Sequence, residues 1–395
     1  MKYINKLITF RQSPFAKFLL IVCCVLSFII FLKPLMSNYY PDFSSYYYGA
    51  RTVLHGGNPY LGGKNFFGSF LYPPFALLVF LPFTFISFFI AEKVFVVLSL
   101  LCLFLAIILL FKLFKISVLS TVSLFLLTLV FNFFPEKFTL GMGQINNVVL
   151  LLMSLFVYFY IKKREYLAGI VLALAIMLKL SPVILIFFLL IDKRWKLLIA
   201  TCVALAIMIL SIAIFINPAN NIYFLKTALP ELLASWKGDY YNQALSGFLQ
   251  RAVPNIFIRQ FSRIFLGILL LLTSLFSIWK YHSKNDNSRL LSLSILMTIS
   301  LIINSFSWQH HFVWLLIPYL ITLMQVKKTH LSIRFYLLLS ISFFLVAINV
   351  KNPATIPTIL QSHVLYGTLL LYGLEIYLLI LSAKPSTRKV AEVEK

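Results

Sequence analysis

Four stretches of this chain carry no Asp, Glu, Lys or Arg: Asn65 to Ala91, Phe138 to Ile161, Leu197 to Leu225 and Leu290 to Val326. Each is long enough for one or two helical crossings of a bilayer, at about 20 residues per crossing. With 61% apolar residues, 11% charged residues and a mean hydropathy of +0.95, the chain has more greasy surface than a soluble core of 395 residues can hide. Only helices and closed barrels satisfy the backbone in lipid, and the alternation of barrel strands is absent. The chain therefore reads as an all-α polytopic membrane protein.

Apolar runs set against polar breaks give about twelve spans, near 16–36, 71–90, 93–113, 117–134, 145–161, 166–191, 197–216, 261–280, 290–306, 311–326, 333–350 and 359–382. They form one integral-membrane domain over 1–395, with a cytoplasmic N-terminus (1–15) and a cytoplasmic tail (384–395). Residues 2–17 read as the start of an uncleaved signal anchor. Two long outer loops, 37–70 with an interfacial helix and 217–260, carry aromatic patches (Tyr46-Tyr47-Tyr48, Tyr223-Phe224, Trp236, Tyr240-Tyr241) suited to the headgroup layer. The Lys162-Lys163-Arg164 turn then faces outward, against the positive-inside rule. A break at Lys179-Leu180-Ser181-Pro182 together with a re-entrant early segment resolves this, and Pro182 makes a break there reasonable.

The formal charge of +23 sits mostly in short clusters between apolar runs, such as Lys193-Arg194-Trp195-Lys196 and Lys327-Lys328. These read as topology signals and contacts to anionic membrane lipids, with no nucleic-acid partner. The four cysteines (Cys23, Cys24, Cys102 and Cys202) lie in apolar segments without metal spacing, so neither a metal site nor a cofactor is expected.

Asp42 is one of only eleven acids and stands just past the first span, ahead of a helical stretch from Phe43 to Leu54. It suits an N-cap, and it equally suits a base that takes a proton from a hydroxyl at the membrane surface. Lys179 lies in the otherwise apolar run Leu167 to Ile191, where an unpaired ammonium costs at least about 2.5 kcal/mol. It either snorkels from a helix end or binds an anion. His310 and His311 interrupt the last charge-free run at an outer-side turn, as turn residues or as substrate contacts. Arg51 follows Asp42 by nine residues, two and a half helical turns, which sets the two on opposite faces. Tyr72-Pro73-Pro74 reads as a rigid lead-in to the second span. Gln144, Asn146 and Asn147 open the fifth span, where an Asn can cap the helix; the twelve-span count puts them on the inner side and outside the catalytic set, and a different count there would let them face substrate.

The stretch Asp42-Phe-Ser-Ser-Tyr-Tyr-Tyr-Gly-Ala-Arg-Thr-Val-Leu-His-Gly-Gly-Asn-Pro-Tyr, then Tyr72-Pro73-Pro74, Gly143-Gln144-Ile-Asn146-Asn147, Lys179-Leu-Ser-Pro182 and Asn242-Gln243-Ala-Leu-Ser246-Gly247, in this order, resembles glycosyltransferase family 87. The resemblance runs over roughly residues 15–330. It implies a GT-C-type transmembrane helix bundle and an inverting, metal-independent hexosyltransferase that moves mannose from a polyprenyl-phosphate donor to a lipid or glycan acceptor. It places the work at the outer face of a bacterial plasma membrane. It maps the catalytic base onto Asp42 and substrate binding onto Lys179, His310 and His311, with Arg51, Asn242, Gln243 and Arg251 as further candidates. For Arg251 a contact with lipid headgroups is an equal alternative. A donor that arrives as a lipid phosphate brings its own leaving group, so one base and a few cations suffice.

Asp239, beside Tyr240-Tyr241, is the second candidate for the base. Glu136 and Glu231 are placed in loops, and Glu375, deep in the last span, marks a paired or functional charge with no assigned role. A transporter or flippase for an anionic or sugar-linked lipid is the competing reading. It calls for repeats and mid-membrane acids, which apart from Glu375 are not seen. A non-enzymatic scaffold is the third.

Overall fold

The computed structural model describes residues 14–234, 238–283, 285–305 and 307–383. The expected N-terminal and C-terminal cytoplasmic tails and Trp236 lie wholly or largely outside the described residues. Among the described residues the chain is helical throughout, with one isolated antiparallel bridge, Asn242 to Trp308.

Helix α1 (Pro14–Phe31) leads through a 3₁₀ turn to α2 (Pro41–Leu54), the helix expected in the first outer loop. After the loop come the short α3 (Phe75–Phe80), the long α4 (Phe88–Leu113), α5 (Thr121–Phe131), α6 (Phe134–Met142), α7 (Asn146–Ile161) and α8 (Glu165–Leu178). A 3₁₀ turn, Ser181–Ile184, separates α8 from α9 (Leu185–Ile191), so the chain is broken at Lys179–Pro182 as expected. Then follow α10 (Trp195–Phe215), the short α11 (Pro218–Tyr223) and α12 (Leu229–Ala234), α13 (Leu245–Ala252), α14 (Ile256–Tyr281) and α15 (Asp286–Ile303). The 3₁₀ stretch Gln309–Leu315 carries the two histidines into α16 (Leu316–Lys328), followed by α17 (Ile333–Ala347) and α18 (His363–Ala383).

Among the described residues six helical segments are long and apolar enough to cross a bilayer: Pro14–Met36, Phe88–Leu113, Trp195–Phe215, Ile256–Tyr281, Asp286–Ile303 and Thr358–Ala383. The pair α5 and α6, bent by 56°, makes a seventh if counted as one span. The remaining expected spans are shorter apolar pieces. Prolines cut two of them: Pro82 stands where α3 tightens into 3₁₀ geometry, and Pro182 stands between α8 and α9.

The aromatic outer loop departs from expectation. Tyr46 and Tyr47 are buried in the protein, not spread in a headgroup layer. The Tyr46 ring stacks on Phe80 at 4.4 Å and Phe43 stacks on Phe95 at 5.0 Å, while the Tyr47 hydroxyl donates to the Ile86 carbonyl at 2.8 Å. Helix α2 is thus pinned on α3 and α4 by rings, which fixes where its first turn points.

Candidate functional site: a carboxylate, a carboxamide and an ammonium

Helix α2 starts behind Tyr40, whose side chain makes no capping bond, with Pro41 as its first residue and Asp42 in its first turn. Asp42 is therefore not the N-cap. Its Oδ2 accepts a 2.7 Å hydrogen bond from Gln144 Nε2, a residue 102 positions away in the chain. The start of the helix is held independently, by the Tyr40 amide donating to Glu92 Oε2 at 3.2 Å.

Gln144 reaches Asp42 because α6, bent by 56° from α5, ends at Gly143 in the left-handed conformation, φ 64°. A Cβ at this position would stand 2.8 Å from Tyr40 Cβ and 2.9 Å from Phe43 Cβ. Both the dihedral and the crowding demand glycine. The placement of Gln144 and Asn146 on the opposite side from Asp42 is thereby corrected. Strict alternation of the twelve expected spans does not hold between them: the expected span 71–90 is the short apolar piece Phe75–Phe85, packed against α2.

Asp42 keeps a partial opening to solvent within a shell of protein atoms. Burial raises its carboxyl to about 6, and the Gln144 hydrogen bond and the Lys179 charge pull it part of the way back. An acid tuned this way is ionised at neutral pH and still basic enough to accept a proton.

Lys179 occupies the gap after α8 with an extended backbone, φ −156° and ψ 126°. Its Nζ donates to Asn146 Oδ1 at 2.7 Å and lies 5.7 Å from the Tyr72 ring centre and 5.2 Å from that of Trp314. Asn146 in turn donates to the His310 carbonyl at 2.8 Å, and Trp314 Nε1 donates to the Asn146 carbonyl at 3.3 Å. Asn146 is not a cap; it aims the ammonium. None of the ion pairs among the described residues includes Lys179. Burial lowers the Lys179 amine to about 7 while the Asp42 charge pulls it part of the way back up, so an anion placed beside this amine favours its protonated form.

His310 and His311 are both buried, with ring centres 4.6 Å apart. His310 Nε2 lies 3.4 Å from Gln144 Nε2, and Thr139 Oγ1 donates to the His310 carbonyl at 3.0 Å. Lys179, His311 and Tyr72 share a cleft of about 300 Å³ whose other walls include Val183, Leu229 and Ile303. A larger hollow of about 720 Å³, among α4, α5, α16 and α17, has no charged lining residue and lies apart from these groups.

Four expected site residues fall elsewhere. Arg51 is exposed, on the far face of α2, and borders a separate open hollow with His55 and Lys64. Asn242 Oδ1 accepts from the amides of Ala244 and Ser307. Gln243 Nε2 donates to the Gln361 carbonyl and its Oε1 accepts from the Val364 amide. Arg251 donates to the carbonyls of Asp239 and Asn242 and to Ser362 Oγ, at 2.7 to 2.9 Å. These three tie the segment 238–252 to the turn before His310 and to the start of α18, so they build the site's frame. Asp239 is exposed in that loop.

Of two other acids, Glu136 departs from expectation and Glu375 sits in the last helix as expected. Glu136 is in the first turn of α6, fully buried, and accepts from Asn147 Nδ2 at 2.6 Å. Glu375 is fully buried in α18 and accepts from the hydroxyls of Ser294 and Thr298 on α15. Among the described residues no three His, Cys, Asp or Glu side chains gather closely enough to hold a metal ion.

An all-α bundle with several membrane-length helices, and with a tuned carboxylate and a buried ammonium brought together from distant chain segments, defines a polytopic membrane protein whose polar site is built into apolar surroundings. Residues 70–305 match Glycosyltransferase family 87, and the chain belongs to that family. The match is narrower than the expected 15–330 and begins after Asp42 and Arg51, so the place of Asp42 in the site rests on the geometry above. Over 208 residues the chain is 28% identical to the alpha-(1→3)-arabinofuranosyltransferase of Corynebacterium glutamicum, covering 52% of this chain and 49% of that protein. The chain thus spans about half the length of the curated relative it matches.

Proposed function

We propose that the chain transfers a sugar from a polyprenyl-phosphate donor to a hydroxyl of a lipid or glycan acceptor, at the outer face of a bacterial plasma membrane. The observation that carries this reading is the Asp42 carboxylate, held by Gln144, within electrostatic reach of the buried Lys179 amine, which lines a cleft with aliphatic walls. The acceptor O–H gives its proton to Asp42 as its oxygen forms the new bond to the anomeric carbon. The bond from that carbon to the phosphate oxygen breaks, and its electron pair leaves with the lipid phosphate, inverting the centre. Lys179 and His311 meet the departing phosphate, and the aliphatic walls accept the first isoprene units.

The sugar is mannose on the resemblance, whereas the relative above is an arabinofuranosyltransferase. Neither alternative changes the roles of base and cation. The test is purified protein incubated with a panel of polyprenyl-phosphate sugars that includes mannose and arabinofuranose, read by donor consumption and product mass. Consumption of a donor by the native chain and its loss in Asp42→Asn supports the reading. Full activity in Asp42→Asn at native fold overturns it.

A further inference from the structure

The Gln144 carboxamide can be oriented without ambiguity. Its Oε1 faces the Ile145 amide at 2.9 Å, the Tyr72 hydroxyl at 3.0 Å and the Tyr46 hydroxyl. A backbone N–H only donates, so the group facing it is the carbonyl oxygen and the other end of the amide is the NH₂. That NH₂ has two hydrogens and no lone pair to offer. One hydrogen goes to Asp42 Oδ2, and the other faces His310 Nε2.

The nitrogen of a neutral imidazole that faces a donor is the one bearing the lone pair. His310 therefore carries its hydrogen on Nδ1. Nδ1 is buried and has no hydrogen-bond partner among the described residues. A buried donor without an acceptor is unfavourable, and a ligand oxygen placed there removes that penalty. Phe138 packs against the ring edge-on at 5.0 Å and keeps the imidazole from swinging away.

We infer that Gln144 is a positioning residue that acts on two groups at once: it fixes the rotation of the Asp42 carboxylate and holds His310 as an Nδ1–H donor directed to a substrate oxygen. The second half rests on the transfer reading above, and the first half does not. The charged or titratable groups that face Asp42 are Tyr46 on its own helix, Tyr72 from the loop before α3, Lys179 from the α8 break and, through Gln144, His310.

The experiment uses the full chain in detergent. Gln144→Glu keeps an oxygen toward Ile145, Tyr46 and Tyr72 and replaces the NH₂ by a second carboxyl oxygen. The Asp42 carboxyl band, assigned by its loss in Asp42→Asn, is followed by infrared difference spectroscopy against pH, which needs no substrate. A rise of the protonation midpoint by about one unit or more is expected, because a neutral donor has become a like-charged neighbour. Gln144→Met, which loses the donor altogether, is expected to move the midpoint the same way. An unchanged midpoint in both folded variants overturns the inference whatever the transfer assay shows.

His310→Asn keeps a donor near the Nδ1 position, whereas His310→Gln places its amide near Nε2. With the donor that the panel identifies, His310→Asn is expected to retain at least about tenfold more kcat than His310→Gln. The reverse order, or equality, removes the histidine half. Loss of the whole transfer reading shows up separately, as full activity in Asp42→Asn.

Discussion

Two carboxylates, Asp192 and Asp42, stand near opposite ends of α8, and they are treated in opposite ways. Asp192, in the turn between α9 and α10, is bonded to Arg194 at 3.0 Å, to His282 at 2.8 Å, to Arg289 at 3.3 Å and to the Tyr160 hydroxyl, while Arg194 also grips Glu165 at 2.9 Å. Burial works against its charge, yet these partners outweigh burial and hold Asp192 well below the usual carboxylate range. Asp42 receives one neutral hydrogen bond, and the cation nearby is turned to Asn146. The first arrangement has used up its carboxylate in tying five chain segments together. The second leaves its carboxylate with unspent basicity, which is what a proton acceptor needs.

Replacing each acid by its amide separates the two roles most sharply. Asp42→Asn is expected to lower the transfer rate per folded molecule by about 10²–10⁴-fold, the usual contribution of a general base, measured by product formation at saturating donor. Lys179→Met is expected to cost on the order of 10²-fold in kcat/KM for the donor, with Lys179→Arg restoring part of it.

The native rate is expected to fall about tenfold per pH unit below about 6, since Asp42 must be ionised to act. The two acids also act on stability with opposite signs. The folded-state pKa of Asp42 is raised, so its stabilising contribution is present below about 4 and is lost as pH climbs through about 6. That of Asp192 is depressed, so its contribution is full above about 4 and is lost as pH falls further. At neutral pH Asp42→Asn is therefore expected to raise the thermal unfolding midpoint.

Asp192→Asn is expected to leave the rate per folded molecule unchanged within about twofold and to destabilise by about 3 kcal/mol, because it strands buried cations. Arg51→Ala is the smallest change, expected to leave both rate and stability within about twofold and about 0.5 kcal/mol. If Arg51→Ala lowers donor affinity tenfold, the far face of α2 belongs to the site after all.

Much of this was legible in the sequence because it followed from local chemistry. Pro182 after a lone lysine reads as a break, and the break is where Lys179 sits; the helix expected after Asp42 forms, although it begins at Pro41 and takes the acid into its first turn instead of leaving it as the N-cap. Gln144 and Asn146 were lost by counting spans, since parity alone put them across the membrane from Asp42, and no rule of hydropathy marks which apolar run forms only a short piece. Their signal was a block of amides at the start of an apolar run, where a capping role looked sufficient. Asn242, Gln243 and Arg251 were misread for another reason. Polar residues that bond to backbone in a distant loop look the same in sequence as those that await a ligand, and only the partners tell them apart. The three adjacent tyrosines looked like a surface feature because exposure depends on what packs against a loop, here Phe80, Phe88 and Phe95.

Position 143 shows how narrow the tolerance of this assembly is. Tyr40 and Phe43 already fill the volume that a methyl group there would claim. A variant carrying Ala in place of Gly143 would therefore retain every reactive group in the chain and still fail to bring acid and amide into register. A single hydrogen atom acts as the spacer between two distant parts of the polypeptide.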